Sequence, residues 1–352
     1  MENIQFCVAV CVVTYNQEKY IAQTLNSVLS QKTDFEIVIF IGNDCSTDRT
    51  LTICLEYQTK YPEKIKIITP KSNTGTVSNT FAVFRKILED AKKYKYVAML
   101  DGDDYWVDEY KLQKQIDFLE SNPDYGLVHT RVALLNDKSG VVYAGAERTV
   151  STGYIFPKSL EEPMANCTVV LKTEFLKHVD MASIEKLGLL SCDYITNVIV
   201  SKWSKVGFIN DITAVWRRNI SSVSSPQQIE KSLKYIEHEI NSGKYLSSLF
   251  PDVYPFTEIE QNRYIARREM EIALSFGDYK LAKKAFSYRD VFKNRKYLKL
   301  CLMNSTFFSI FLFIRKKTQV IRHKLKSIIQ TTNKWNYRKL KTKVSQVFYG
   351  EC

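Results

Sequence analysis

The segment Val97-Ala98-Met99-Leu100-Asp101-Gly102-Asp103-Asp104 runs from four apolar residues straight into three carboxylates within four positions. The apolar half reads as a buried strand. Carboxylates gathered at the end of a core strand are costly unless a cation neutralises them. Hard oxygen ligands of this kind suit Mg²⁺ or Mn²⁺, ions that usually bind through one or two carboxylates plus a substrate's phosphates. The stretch therefore points to a metal-diphosphate site at a strand's carboxyl end. A solvated acidic turn is the competing reading.

Working outward, the first 105 residues alternate strand-like and helix-like segments. Phe6–Tyr15 is an apolar, β-branched run, and Glu18–Gln31 places Ile21, Leu25, Val28 and Leu29 on one helical face. Phe35–Gly42 reads as a second strand. Ser46 and Thr47 suit the cap of a helix through Tyr57, with Asp48 favourable in its first turn. Ile65–Thr69 is a third strand, Val77–Ala91 a helix with Phe81, Phe84, Ile87 and Leu88 inward, and Tyr96–Leu100 a fourth strand. Such alternation predicts an α/β fold with a mostly parallel sheet covered by helices on both faces. Ligands of these sheets sit beyond the carboxyl ends of the strands. Here those ends are Thr14-Tyr15-Asn16, Asn43-Asp44 and Asp101-Gly102-Asp103, joined by Asn73-Thr74-Gly75, where glycine lets backbone approach a ligand.

After Asp108 a helix is expected to about Ser121. Strands follow at Gly126–Asn136, Val141–Ala144, Tyr154–Phe156 and Thr168–Lys172, then a helix at Tyr194–Trp203 and a strand at Gly207–Trp216. This is a mixed-sheet half suited to a second substrate. From Gln227 onward the pattern is helical and basic.

The 352 residues, 45% hydrophobic and 25% charged, suffice for one large core and a smaller appendage. The eight cysteines form no Cys-X-X-Cys pair, which argues against a zinc site or disulfide framework and for a reducing cytoplasm. Met1–Gln5 lacks a basic region, so the following apolar run reads as a strand and not as a signal peptide. The best membrane candidate, Leu300–Ile314, is broken by Asn304-Ser305-Thr306 and is too short to span a bilayer. Charge is unevenly placed: Arg263–Cys352 carries +17 and the remainder −5.

These residues resemble glycosyltransferase family 2, whose members have the GT-A fold. Val12-Val13-Thr14-Tyr15-Asn16 with Gln17–Ile21 resembles the family's opening signature, and Asn43-Asp44-Cys45-Ser46-Thr47-Asp48 its Asp-Asp-Gly-Ser-Thr-Asp segment. Asn73-X-Gly75 with Asn79 is similar to a third block, and Leu100–Asp104 to a fourth. The resemblance covers residues 6–125 well and loosens toward 225. It implies an inverting transferase that uses a nucleotide-diphosphate sugar and a divalent ion. Thr14, Tyr15, Asn16, Glu18, Asp44, Asn79 and Asp101 would border the nucleotide; Asp101 and Asp103 would hold Mn²⁺ or Mg²⁺, with Asp104 orienting its neighbours. On the residues alone, Asp44 is also readable as a turn or cap, and Glu18 as a first-turn helix charge.

Direct displacement at an anomeric carbon needs a base for the acceptor hydroxyl. The resemblance assigns that role to Asp193, in Leu190-Ser191-Cys192-Asp193-Tyr194, where a helix-capping role is the alternative. Trp216-Arg217-Arg218-Asn219 resembles the family's Tyr-Arg-X-His segment, with Trp for Tyr and Asn219 for the His that helps hold metal or diphosphate. Arg217 suits a bidentate phosphate clamp or a structural ion pair. Trp106 suits sugar stacking or the core.

The implied organisation is a GT-A domain over 1–225 (nucleotide-binding half 1–105, acceptor half 106–225) and a helical basic region over 226–352. In the latter, Phe307–Ile314 beside Arg315-Lys316-Lys317 suits an amphipathic helix on an anionic membrane. The expected acceptor is accordingly a glycan or lipid-linked sugar of surface polysaccharide or glycolipid assembly, at the cytoplasmic face. Packing of the apolar run on the catalytic body is the other reading. Nucleic acid is not the expected partner, because Phe and Ile interleave with the charges. A sugar-nucleotide-binding or scaffolding protein with impaired catalysis is the functional alternative.

Overall fold

Eight consecutive buried residues make β1 (Cys7–Thr14) a strand covered on both faces, as the interior of a parallel sheet requires. The computed structural model describes residues 6–137, 140–144, 152–156, 164–218 and 228–287, with a few positions between 302 and 312. These residues fall into two compact units, one within Met1–Asn219 and one within Ile220–Cys352.

In the first unit β1 is flanked by β2 (Glu36–Asn43) and β4 (Tyr94–Asp101), and β3 (Ile65–Ile68) lies outside β2; all four strands are parallel. Register pairs Thr14 with Asn43 and Val13 with Asp101, so three strands end level with one another. Between them run α1 (Ile21–Leu29), α2 (Thr50–Lys60) and α3 (Thr76–Leu88). Their inward residues are as expected: Ile21, Leu25 and Val28 from α1, and Phe81, Phe84 and Ile87 from α3, are buried.

The second half comprises β5 (Tyr105–Trp106), α4 (Lys111–Ser121), β6 (Tyr125–Asn136), β7 (Val141–Ala144), β8 (Val170–Lys172), α5 (Met181–Lys186), α6 (Cys192–Trp203) and β9 (Lys205–Arg218). The sheet runs β3-β2-β1-β4-β8-β6-β9-β5, with β7 on β6. Pairing across β8 is antiparallel and β6 lies parallel to β9, so the sheet is mixed. The strand expected at Tyr154–Phe156 is reduced to a single bridge between Gly153 and Val206.

Topology forces this sheet to curl. Only four residue steps, about 14 Å of extended chain, separate the end of β4 from β5. Across a flat sheet the path through β8, β6 and β9 would be about 19 Å wide. The far edge must therefore fold back over the carboxyl end of β4. Because Tyr105 pairs with Val215 and Trp106 with Ala214, the end of β9 comes to lie beside Asp103 and Asp104.

The second unit contains α7 (Ile229–Leu249), α8 (Glu258–Phe276) and α9 (Tyr279–Phe286). Thr257 and Glu260 form a capping box on α8, and Gly277 ends it in the left-handed conformation at φ 77°. Leu302 and Phe308 are buried with Ala266, Met270, Ala273, Ala282 and Ala285. Phe308 thus packs on its own unit's helices, which corrects the expectation that it faces lipid. Arg315 and everything after it, including Trp335 and Tyr337, lie outside the described residues. Among the described residues no helix is long and apolar enough to cross a membrane.

One buried cation stands out in the first unit. Lys111 is 0% exposed, donates to Gln115 Oε1 at 2.6 Å and lies 4.3 Å from the centre of the Trp106 ring. Burial pushes its ammonium down to about 7. The unfolded chain keeps this proton up to the ordinary lysine value, so between about pH 7 and 10 the unfolded state binds more protons and stability rises with pH. Lys111→Met is expected to remove up to ~1.4 kcal/mol per pH unit of that slope. Urea unfolding of both proteins at pH 7, 8 and 9 checks it; parallel pH dependences would show that Lys111 is not the source.

Candidate active site

The carboxyl ends of β1, β2 and β4 are laced together by side chains of the intervening loops. Asn16 and Cys45 both take left-handed backbone, at φ 52° and 57°. This conformation is uncommon outside glycine and is most often held in place by function or by neighbours. The neighbours are visible. Asn16 N donates to Ser46 Oγ (3.1 Å), and Asn16 Oδ1 accepts from Thr47 N (2.8 Å). Glu18 N donates to Asp48 Oδ2 (3.1 Å), and Arg49 N donates back to Glu18 Oε2 (3.0 Å). Ser46 and Thr47 therefore bind the β1–α1 loop and do not cap α2; no side chain caps it, although Asp48 accepts from Thr50 N.

Several residues expected at the nucleotide prove to build the site's walls. Asp44 is buried, and its carboxylate accepts from Thr74 N (2.7 Å), Thr74 Oγ1 (2.9 Å) and Gly75 N (2.8 Å). Its oxygens are spent anchoring the β3–α3 loop. Asn79 is buried too and donates to the Gly42 carbonyl at 2.7 Å, tying α3 to β2. Glu18 braces the start of α2, as above. Thr14, Tyr15 and Asn16 do border the edge: Thr14 is buried and accepts from Asp44 N through its carbonyl, while Tyr15 is 45% exposed.

The acidic turn itself is held from every side. The Thr24 hydroxyl reaches the carbonyls of Gly102 (2.9 Å) and Asp104 (2.7 Å), fixing the turn to α1. Gly102 N donates to Val13 O at 2.8 Å, and a Cβ on Gly102 would lie 2.4 Å from Gln17 Oε1 and 2.8 Å from Thr14 Cβ. Asp104 is buried, accepts from Arg217 N at 2.7 Å and from the Cys167 thiol, and is pushed well above the carboxylate range by burial and by Asp103 and Asp101. Its carboxylate ties the turn to β9 and to Cys167.

Asp101 and Asp103 are half-buried at the mouth. Asn166 donates through Nδ2 to both oxygens of Asp101, each at 3.2 Å. Burial first, then repulsion from Asp103 and Asp193, raises Asp101 to about 7. Asp193, in the first turn of α6, is raised by burial as well, while N–H groups at the helix start, led by Tyr194 N, pull it back. Asp193, ninety residues away in sequence, thus adds to the negative charge felt by Asp101. Cys192 is buried, and desolvation drives its thiol far up, so it is no nucleophile.

Two further expectations are corrected. Arg217 is 4% exposed and bonded through each of its three nitrogens: Nε donates to the Asp103 carbonyl (2.8 Å), NH1 to Asp137 Oδ1 (2.9 Å) and NH2 to Gln23 Oε1 (2.7 Å). It is a strut behind the turn and not a free phosphate clamp. Trp106 is 3% exposed, donates from Nε1 to the Cys167 carbonyl at 2.9 Å and belongs to the main core cluster; it cannot stack on a sugar. Asn219 lies outside the described residues. Thr24, Asn166, Cys167, Tyr20 and Asp137 were not foreseen. Only Thr24 carried a signal, a hydroxyl beside the inward stripe of α1.

Among the described residues no ready-made group of three metal-ligating side chains is present. The chemistry of the cluster nonetheless fits a divalent ion. Asp101 and Asp103 are hard oxygen donors, and burial together with the neighbouring carboxylates makes the charge on Asp101 costly, which a bound cation would offset.

Comparison with known proteins agrees with this architecture. Residues 9–167 match the family model "Glycosyl transferase family 2". A dTDP-rhamnosyl transferase of Shigella flexneri, RfbG, is 33% identical over 166 residues, 47% of this chain and 55% of that protein. A poly(ribitol-phosphate) β-N-acetylglucosaminyltransferase of Staphylococcus aureus, TarS, is 39% identical over 100 residues, 28% of this chain and 16% of that protein. An uncharacterized protein of Mycobacterium tuberculosis is 38% identical over 112 residues, 32% of this chain and 31% of its own length. The chain thus spans less than two thirds of these relatives. The crystal structure of S. aureus TarS 1–349 in complex with UDP superposes with a TM-score of 0.52 at 18% identity, covering 78% of this chain and 74% of that one, a likeness of fold. The fold is of the GT-A type. Residues 9–167 carry a glycosyltransferase family 2 domain, which includes the acidic turn and the level strand ends.

Gly102→Ala tests how tightly that turn is held. The added methyl must displace Gln17 and Thr14, and overpacking of this kind costs about 1–3 kcal/mol. A lowered melting temperature is expected, and an unchanged one would show that the turn has room.

Proposed function

We propose that this chain is a metal-dependent, inverting glycosyltransferase. It moves a sugar from a nucleotide-diphosphate donor, a UDP-sugar, to a glycan or lipid-linked acceptor of surface polysaccharide or glycolipid assembly. The observation that carries this reading is the acidic turn held at the edge where the strand ends are level, with Asp193 near enough to add to the charge on Asp101. The class of chemistry also accords with the relatives named above, whose names describe rhamnosyl and N-acetylglucosaminyl transfer.

In this reading residues 1–105 bind the donor, with Thr14–Asn16 at the nucleotide, and residues 106–225 present the acceptor. Asp101 and Asp103 would hold Mn²⁺ or Mg²⁺, which supplies positive charge to the departing nucleoside diphosphate. Asp193 accepts the proton of the acceptor hydroxyl as its oxygen bonds to the anomeric carbon. The electron pair of the breaking glycosidic bond leaves with the diphosphate. A carboxylate raised by burial is a better base than one in water, which suits Asp193 to the role. Asn166 fixes both oxygens of Asp101, and Arg217 and Thr24 hold the turn, so the site needs little rearrangement. Peripheral contact of the +17 region with an anionic membrane would bring a lipid-linked acceptor to the cytoplasmic face.

Asp193→Asn keeps the size and the helix position but removes the base. Transfer should fall by ~10²–10⁴-fold with donor affinity unchanged. Radiolabelled sugar transfer to membrane glycolipid extracts, with donor titration alongside, provides the check. Full transfer by the variant would remove Asp193 from the reaction.

A further inference from the structure

We infer that Arg217 is a positioning residue for the metal-binding turn, not a ligand of the donor diphosphate. The inference rests on the reading of the site just given. A guanidinium offers five N–H groups in one plane. Here each of its three nitrogens is committed, to the Asp103 carbonyl, to Asp137 and to Gln23. Its carbon lies 4.5 Å from the centre of the Tyr20 ring and 5.6 Å from that of Tyr105. The same residue's backbone N–H holds the Asp104 carboxylate. The acidic turn is thus gripped at two successive residues by one side chain and its own main chain.

The grip is itself secured from outside. Asp137, at the end of β6, accepts Arg217 on Oδ1 and the Tyr20 hydroxyl on Oδ2 at 2.8 Å. Tyr20 and Gln23 come from the start of α1, in the donor half; Asp137 and Arg217 come from the acceptor half. The network therefore locks the two halves together at the point where the metal ligands project. A divalent ion tolerates only small errors in ligand position, so a shift in this lock reads out as metal affinity. Lysine cannot substitute, being a point charge without the planar fork.

The test measures Mn²⁺ binding by electron paramagnetic resonance and UDP or uridine binding by calorimetry in EDTA. The proteins are the full chain as wild type, Arg217→Lys, Tyr20→Phe and Asp137→Asn. Tyr20→Phe keeps the ring and loses one hydrogen bond, and Asp137→Asn keeps the shape, so both are expected to fold; circular dichroism verifies this. The Mn²⁺ dissociation constant should rise about tenfold or more in Arg217→Lys and severalfold in the other two, with metal-free UDP affinity unchanged. Loss of metal-free UDP affinity in Arg217→Lys with uridine binding intact would make Arg217 a diphosphate ligand and overturn the inference. So would wild-type Mn²⁺ affinity in Tyr20→Phe and Asp137→Asn. Failure of the wild type to bind Mn²⁺ and UDP would instead overturn the underlying reading, and this inference with it.

Discussion

Carboxylate charge withdrawn from water at the end of β4, beside like charge, is the constraint around which the acidic turn is organised. Like charges at this range, partly withdrawn from water, raise one another's proton affinity and push the segments that bear them apart. Asp101 is lifted to about 7 by burial first and then by Asp103 and Asp193. The fold withstands this strain because each segment is fastened elsewhere. The acidic turn is bound to α1 through Thr24, to β1 through Gly102 and to β9 through Arg217. The curl of the sheet is what brings β9 within reach.

Fastening has a functional consequence. Groups held at fixed positions against their own repulsion need not be assembled when a ligand arrives, and a cation entering such a site relieves strain already present. The same principle explains why much of the expected ligand set turns out to be scaffold. Asp44 and Glu18 spend their charge on backbone N–H groups of neighbouring loops, and Asn79 its amide on a strand end. They shape the edge formed by the strand ends.

This division marks what was legible in the sequence. Apolar periodicity gave the four parallel strands and three helices within a few residues, because β1, β2 and β4 are buried on both faces and α1 and α3 on one. The acidic turn was legible because three carboxylates at the end of an apolar run are costly without a cation to offset them, whereas Asp193 stood out only through its resemblance to a known segment. What sequence could not show was which partner each polar group would find. Arg217 lies 113 positions from Asp104, and nothing local in Trp216-Arg217-Arg218 distinguishes a phosphate clamp from a strut. Trp106 lies two residues past the carboxylates, yet pairing with β9 turns it into the core. The two-residue β5 was invisible for its brevity, although it dictates the curl.

The central claim is that charge at the end of β4 is kept for a divalent ion. Calorimetric titration of Mn²⁺ into the protein between pH 6 and 8, in buffers of different ionisation enthalpy, tests it directly. A carboxylate near 7 must give up its proton to bind metal. The account predicts proton release that approaches one per ion at low pH, with affinity rising as pH increases through 7. Absence of binding, or binding with neither proton release nor pH dependence, would contradict it.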